Sequence, residues 1–516
     1  MPNHHLFTSP NYPLPPITKQ HSPTMGSIPA SGSSDPCKML RVDGSRIVNA
    51  AGETVILKGA GVGGCLNMEN FITGYAGHEH EHRAQMAEVL GEARSQFFFD
   101  RLIHHFFSDD DAAYFASLGL NCIRIPINHR HFMDDMNPST IRPEGFKLVD
   151  RIVDVCAKHN LYTILDLHTV PGGQNQDWHS DSGLSRAMFW EFKDLQDRAI
   201  QLWEALAEHY KGNPYVAGYN PLNEPADPYK ATNGHHGARL VAWYERCERA
   251  IRAIDPDHIL FVDGNTYAMD FRAFPEKTLP NTVYAIHDYS MLGFPISEQY
   301  EGTDAQNKAL RQQLDRKVEY MRSKNVPVWN GEFGPVYASA QNAGSEMEAA
   351  AINAKRIGLL RAQLKNYAAD SISWSIWLYK DIGYQGMVYV DPSSPYMKLI
   401  QPFVDKKQAL GLDFWGVVNK EGVKHLYEPF VNGLRETVPE PFRNKKYPKI
   451  WNFDRHVERV VRECLMSEYA GWELAELFRG KTEEELEELA ASFAFKNCKG
   501  REQLNETLRL DAAGKL

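Results

Sequence analysis

Long apolar runs and basic tracts are both missing from this sequence. No stretch approaches the roughly 20 apolar residues that a membrane-spanning helix needs. The 56 Lys and Arg residues stand against 66 Asp and Glu, which gives a formal net charge of −10. A mildly acidic chain without a basic tract is a poor binder of nucleic acid. We therefore predict no membrane span and no nucleic-acid partner.

Cysteine is scarce, and the seven cysteines are scattered without a C-x-x-C motif. An odd count at irregular spacing argues against both a disulfide framework and a zinc ribbon. Residues 1–37 are rich in Pro, Ser and His and contain no apolar run, so they predict a disordered tail and not a secretory signal. Together these absences favour a cytoplasmic location, with secretion by another route left open.

Between residues 38 and 440 the chain alternates short β-rich runs with long helical patterns. Short strands that alternate with long helices indicate parallel βα units, and eight such units fit a closed barrel better than an open sheet. The fold class predicted is therefore α/β, a (β/α)8 TIM barrel. The runs predicted as its strands are 55–64, 121–127, 162–168, 216–225, 258–264, 282–290, 326–334 and 371–381.

Both ends of the barrel carry additions. Residues 41–48 and 54–57 flank turn residues and predict an N-terminal hairpin. After residue 381 the pattern loosens, and residues 424–438 are the candidate for the eighth helix. We predict three parts: the disordered tail 1–37, a catalytic barrel 38–440, and a charged helical C-terminal extension 441–516 packed on the barrel.

An insertion at 74–107 follows the first predicted strand and is rich in His and Glu. Alternation along an extended segment would put His78, His80 and His82 on one side, as in a metal site, but zinc needs well-fixed ligands. The segment is typical of a solvated loop or the start of a helix, and it could close one end of a cleft. We predict no metal and no cofactor.

Polar side chains cluster where the predicted strands end. The carboxyl ends of barrel strands converge on one face, which is where barrel enzymes place their active sites. A structural role is open to each residue taken alone, but a shared structural role for all of them is an unconvincing explanation. The residues are Arg124, His168, Asn223, Glu224, His287, Tyr289, Glu332 and Trp377.

Glu224 and Glu332 stand out within this set. They follow the fourth and seventh predicted strands, which face each other across the mouth of an eight-stranded barrel. Cleavage of a glycosidic bond needs an acid on the leaving oxygen and a nucleophile or base at the anomeric carbon, and two carboxyl groups can supply both. We predict Glu224 as general acid/base and Glu332 as nucleophile.

The neighbours suit this chemistry. Asn223 could bind a sugar 2-hydroxyl, and Arg124 could orient the nucleophile through charge-assisted hydrogen bonds. His287 and Tyr289 are alternate residues on one strand face, so they could steady the acid and the nucleophile respectively. Trp377 could form the floor of the reactive subsite, with Trp374 as its rival.

These motifs, in this order, resemble glycoside hydrolase family 5, a family of retaining (β/α)8-barrel enzymes with catalytic Glu on strands four and seven. The resemblance covers roughly residues 40–380. Residues 57–69 and 168–175 are similar to the fungal exo-β-1,3-glucanase and diglycosidase branch, although Cys65 stands where that branch has Trp. By this resemblance Glu69 binds sugar hydroxyls in the terminal subsite. Trp178 and His179 are candidate aglycone contacts, with a packing role equally open.

The function predicted is a retaining β-glycoside hydrolase that acts from the chain end on β-glucosides, short β-glucans, diglycosides or glycolipids. An endo-β-glucanase or a transglycosylase would use the same two Glu. A non-catalytic carbohydrate-binding barrel is the alternative of another class. Retention requires carboxyl groups about 5–5.5 Å apart, whereas inversion requires about 6.5–9.5 Å. The partner expected is a carbohydrate or glycoside, and the oligomeric state is undetermined.

Overall fold

The eight barrel strands pair in sequence order, each with the next, and the eighth with the first. The computed structural model describes residues 39–290, 292, 297–412, 421–443 and 452–516; the predicted tail 1–37 lies outside them. The closed parallel barrel confirms the predicted fold class. Its strands are β1 Lys58–Gly61, β2 Cys122–Asn128, β3 Tyr162–Thr169, β4 Val216–Asn220, β5 Ile259–Asp263, β6 Thr282–His287, β7 Val328–Glu332 and β8 Ser373–Ile376.

Helices pack around the barrel with their apolar stripes inward. In the helix after β2, Val149, Ile152, Val153 and Cys156 are buried at the spacing of one helical face. A 3-10 turn, Met188–Trp190, precedes the helix after β3, which begins at Lys193. The helices after β1, β2, β3, β4, β6 and β7 are Asp109–Ser117, Glu144–Lys158, Lys193–Tyr210, Ala238–Arg252, Asp304–Lys324 and Glu346–Ala369. After β5 the chain makes the short turn Asn265–Ala268, in which Thr266, Tyr267 and Ala268 have left-handed φ values of 56–60°.

The eighth helix of the barrel is Glu502–Ala512, and the assignment of residues 424–438 to this place was wrong. Asp511 accepts a hydrogen bond from Trp374 of β8 and pairs with Lys58 of β1 at 2.8 Å, so the helix covers the seam between these strands. It also packs on helix Glu346–Ala369. Helix Glu421–Thr437 packs instead on helix Phe453–Arg459, in a separate small apolar cluster.

The insertion 74–107 is neither a solvated loop nor one extended segment. It forms helices Glu79–Leu90 and Glu92–Phe106, which meet at Gly91, where φ is 82°. The rings of His78 and His80 lie 6.0 Å apart, but His80 and His82 are two residues apart on the helix and point in different directions. His80 contacts Asp181, whereas His82 is buried and stacks on the Tyr75 ring.

The remaining elements surround this core. The N-terminal hairpin is tighter than predicted, since Arg41–Asp43 pairs with Arg46–Val48 and Thr54 adds a single bridge. The predicted division of the chain at residue 440 stays a prediction. None of the helices in the described residues has the length and apolar character of a membrane span. The other helices and strands are Asn70–Thr73, His129–His131, Met133–Asp134, Asn137–Ile141, Trp178–Ser180, Met188–Trp190, Ala340–Ala343, Lys380–Asp381, Val388–Val390, Pro395–Ala409, Glu440–Arg443, Val460–Met466, Ser467–Glu476, Glu483–Ala491, Phe495–Asn497 and Cys498–Gly500.

Candidate active site

The two glutamates singled out in the sequence meet at the carboxyl end of the barrel. Glu332 ends β7, and Glu224 lies four residues after β4. One ligand atom each of Glu224, His287 and Glu332 lies within 4.8 Å of the others. Among the described residues, these three are the His, Cys, Asp or Glu side chains that lie close enough together to hold a metal ion. The same closeness lets the two carboxyl groups act on one bond.

Glu332 is held by two donors. Its Oε1 accepts a hydrogen bond from Arg124 Nη1 at 2.5 Å, and its Oε2 accepts one from the Tyr289 hydroxyl at 3.0 Å. Arg124 is buried, yet the nearby carboxylates of Asp166 and Glu332 outweigh the effect of burial and raise its pKa. Arg124 therefore stays charged, and the carboxylate of Glu332 is fixed in orientation on both oxygens.

Arg124 is itself oriented by a polar layer beneath the site. Its Nη2 donates to Asn223 Oδ1 at 2.7 Å and to Asn220 Oδ1 at 3.1 Å, and it pairs with Asp166 at 3.1 Å. Sequence reasoning gave no role to Asp166 or Asn220. The signal was present, because both are polar residues within apolar strands, and an inward-facing polar residue in a barrel needs a partner.

Glu224 is enclosed by two histidines. His287 Nδ1 lies 2.6 Å from Oε1, and His179 Nε2 lies 3.1 Å from Oε2. Burial raises the pKa of Glu224, but the two histidines outweigh burial and hold it below its ordinary value. Burial lowers the pKa of both histidines, but the carboxylate of Glu224 outweighs this for His179, and those of Glu332 and Glu224 outweigh it for His287, so both pKa values are raised. Both shifts favour a proton on the histidines beside Glu224.

The backbone at Glu224 is also fixed. Its φ is 45°, in the left-handed region, and its N–H donates to Asp263 Oδ2 at 2.9 Å. The carbonyl of Glu224 accepts a hydrogen bond from Asn175 Nδ2, which also approaches His179 Nε2 at 2.8 Å. His179 therefore belongs to the surroundings of the acid. The sequence marked it only as a candidate aglycone contact.

Trp377 faces the site, and its rival Trp374 does not. The Trp377 ring stacks on His168 with a centroid separation of 5.3 Å and an interplanar angle of 4°. Gly61 and Gly63 lie against this ring, and a Cβ on either would approach it within 2.7 Å or 2.5 Å. The glycines of the first strand and its loop are thus required by the tryptophan. Trp374 points outward to Asp511.

His168, Asn223 and Glu69 form the wall next to this ring. His168 Nε2 lies 3.2 Å from Asn223 Nδ2 and 3.5 Å from Glu69 Oε1. Despite burial, Asp166 and Glu69 raise the pKa of His168 to about 10. Trp178 donates from Nε1 to Glu69 Oε2 at 3.4 Å. The contacts of Glu69, Asn223 and Trp178 with sugar stay predictions; the structure places Glu69 and Asn223 beside His168, and Trp178 beside Glu69.

A pair of enclosed carboxyl groups at the mouth of a parallel barrel is the arrangement used by glycosidases. Residues 99–382 match the family described as cellulase, glycosyl hydrolase family 5. The chain is 52% identical over 478 residues to a protein named beta-xylosidase from Phanerodontia chrysosporium, covering 92% of this chain and 98% of that protein. The chain belongs to glycoside hydrolase family 5, as its motifs predicted, and is a glycosidase.

Two further relatives show the range of names within this similarity. A protein named "Probable glucan 1,3-beta-glucosidase A" from Aspergillus fumigatus is 28% identical over 269 residues, covering 50% of this chain and 62% of that protein. Endoglucanase C from Acetivibrio thermocellus is 23% identical over 270 residues, covering 45% of this chain and 75% of that protein.

Proposed function

We propose that this protein is an exo-acting, retaining β-glycosidase that works by double displacement through a covalent glycosyl-enzyme. The observation that supports this best is the approach of Glu224 and Glu332 to within 4.8 Å between ligand atoms. Retaining enzymes place their carboxyl groups about 5–5.5 Å apart, whereas inverting enzymes leave room for a water molecule between them.

In the first step, Glu332 attacks the anomeric carbon and the glycosidic bond breaks, while Glu224 passes a proton to the leaving oxygen. Arg124 and Tyr289 hold the attacking carboxylate, so it reacts from one orientation. The proton comes from the cluster of Glu224, His179 and His287. In the second step, Glu224 takes a proton from water, the resulting hydroxide attacks the anomeric carbon, and Glu332 is released.

The terminal sugar is proposed to lie on Trp377, with Asn223 at its 2-hydroxyl and Glu69 at hydroxyls further from the reacting bond. A hydrogen bond to the 2-hydroxyl strengthens as the transition state forms, so it lowers the barrier as well as aiding binding. His168 positions Glu69 and stacks on Trp377, which joins the two halves of this subsite.

Exo action is supported by the enclosure of the subsite beyond Glu69. Trp178 is only 5% exposed and bonds to Glu69, and the insertion helix contacts the same loop through His80 and Asp181. An endoglucanase needs an open groove on this side. A transglycosylase would share the glycosyl-enzyme, and a non-catalytic barrel would have no use for the two oriented carboxyl groups.

For the substrate, we propose β-xylosides and β-glucosides, either as short β-glycans or as diglycosides or glycolipids. The names of the relatives support a xylosyl or glucosyl residue in the reactive subsite. The test is release of 4-nitrophenol from a panel of aryl β-glycosides, with the anomer first formed identified by proton NMR.

The controls for this test are Glu332→Ala in the site and Glu276→Ala at a position where the carboxylate is 95% exposed. We expect the β-anomer first, no activity in Glu332→Ala and full activity in Glu276→Ala. Formation of the α-anomer first would overturn retention. Activity that survives in Glu332→Ala would overturn the assignment of the nucleophile.

A further inference from the structure

A segment far from the barrel strands in sequence lies against the loops of the active-site face. This closing segment, residues 452–476, comprises helix Phe453–Arg459, the π-helix Val460–Met466 and helix Ser467–Glu476. It contacts the loop after β3 through Ser185 and Cys464, whose oxygen and sulfur lie 3.2 Å apart. It contacts the insertion through Gln85, which donates to the Glu468 carbonyl.

Arg459 is the residue of this segment that contacts Trp178 of the proposed subsite. It is 1% exposed, and its Nη1 lies 2.7 Å from Asp177 Oδ1 and 2.5 Å from Glu463 Oε2. Its guanidinium carbon also lies 4.6 Å from the centroid of the Trp178 ring, within the range of a cation–π contact. Asp177 and Trp178 are consecutive, so one guanidinium group holds both the backbone turn and the ring.

The contacts continue from Trp178 to the reactive centre. Trp178 Nε1 donates to Glu69 Oε2, and Glu69 Oε1 lies 3.5 Å from His168 Nε2. His168 stacks on Trp377. A tryptophan held only by its own loop could turn and release Glu69, whereas a buried cation against its face fixes its rotamer.

We propose that Arg459 is a positioning and specificity-determining residue for the terminal-sugar subsite. It holds Trp178 across the end of the cleft, which fixes Glu69 and excludes a second sugar beyond the terminal one. This inference rests on the proposed exo-glycosidase function and adds the residue that makes the enzyme exo-acting.

The test compares Arg459→Met with Arg462→Met. Arg462 is as deeply buried in the same segment, but it donates to the Gly411 carbonyl and to Glu458. Its loss therefore controls for a general weakening of the segment. The substrates are 4-nitrophenyl β-xyloside and β-glucoside, together with 4-nitrophenyl β-xylobioside and β-cellobioside.

For Arg459→Met we expect KM for the monosaccharide glycosides to rise about tenfold, the effect of losing one charge-assisted contact, with kcat changed less than threefold. We also expect direct release of the disaccharide from the two longer substrates, seen by chromatography. Wild type and Arg462→Met should release only single sugars. Arg459→Lys retains the charge near Asp177 but not the planar contact, so it should fall between wild type and Arg459→Met.

Equal KM values and product patterns in Arg459→Met and Arg462→Met would overturn the inference. If Arg459→Met does not fold, Arg459→Lys decides by the same two readouts, and values identical to those of wild type would count against the proposal. Failure of the proposed function looks different, because wild type itself would then release nothing from any of the four substrates.

Discussion

Lys380 occupies a fully buried position at which three distant parts of the chain meet. Its Nζ donates to Asp111 Oδ1 at 2.7 Å, to the Phe106 carbonyl at 2.7 Å and to the Phe493 carbonyl at 2.8 Å. The side chains of Lys380 and Asp111 are both 0% exposed. The perturbation is Lys380→Met, which keeps the length of the side chain and removes its charge and its donors.

The free energy of unfolding should fall by about 3–5 kcal/mol, the usual cost of removing one partner from a buried ion pair. Asp111 retains hydrogen bonds from the Tyr379 hydroxyl and from Ser108, which places the value toward the lower end of this range. The matched control is Lys406→Met. The Lys406–Glu473 pair is about half exposed on both sides, so its loss should cost about 0–1 kcal/mol.

The assay is urea-induced unfolding at pH 7, followed by tryptophan fluorescence, on both variants and on Lys380→Met combined with Asp111→Asn. The double variant should recover part of the loss, because it no longer buries an uncompensated carboxylate. A loss in Lys380→Met no larger than that in Lys406→Met would refute the reasoning, since it would mean that water reaches this pair.

Three further outcomes follow from the site. Arg124→Lys should lower kcat by about 10- to 100-fold with little change in KM, since one charge-assisted hydrogen bond to Glu332 contributes roughly 1.5–3 kcal/mol; an unchanged kcat on aryl glycosides would contradict this. Glu224→Ala should lower kcat about 10²–10⁴-fold on methyl glycosides, which need a proton on the leaving oxygen, but far less on 2,4-dinitrophenyl glycosides. Equal losses of kcat on both substrates would exclude Glu224 as the acid. The pKa of His168 is raised to about 10, so its contribution to stability is complete below about pH 6.5, the unfolded value, and is lost as pH rises toward 10. In His168→Asn the free energy of unfolding should therefore fall less between these two pH values than it does in wild type. An equal fall in the variant and in wild type would count against the pairing of His168 with Asp166.

The barrel could be predicted because its strands are short apolar runs that end in polar residues. Their bounds could not, since β1 is only Lys58–Gly61 within a predicted run of 55–64. The eighth helix was missed for a different reason. Several amphipathic helices follow β8, and periodicity does not say which of them covers the seam; contacts of Asp511 with Lys58 and Trp374 decide it.

The positions of Glu224 and Glu332 could be predicted because each follows a strand in a distinctive motif. The surroundings of the acid could not. His179 lies in the 3-10 turn Trp178–Ser180, within a loop whose path is set by Asn175 and by the backbone of Glu224. Arg459 carried no signal, because an arginine in a charged helical stretch is typical of a solvated face. It is buried only because Asp177 and Trp178 meet it from the other side.

The helix that covers the β8–β1 seam has a consequence for biosynthesis. About 125 residues separate the end of β8 from the start of this helix, Glu502. At typical synthesis rates of about 5–20 residues per second, the ribosome needs on the order of ten seconds to add them. During this interval all eight strands exist, but the outer faces of the first and last lack their cover. We expect nascent chains arrested in this interval to be bound by chaperones at that seam, and chains released from the ribosome with the helix in place to escape them.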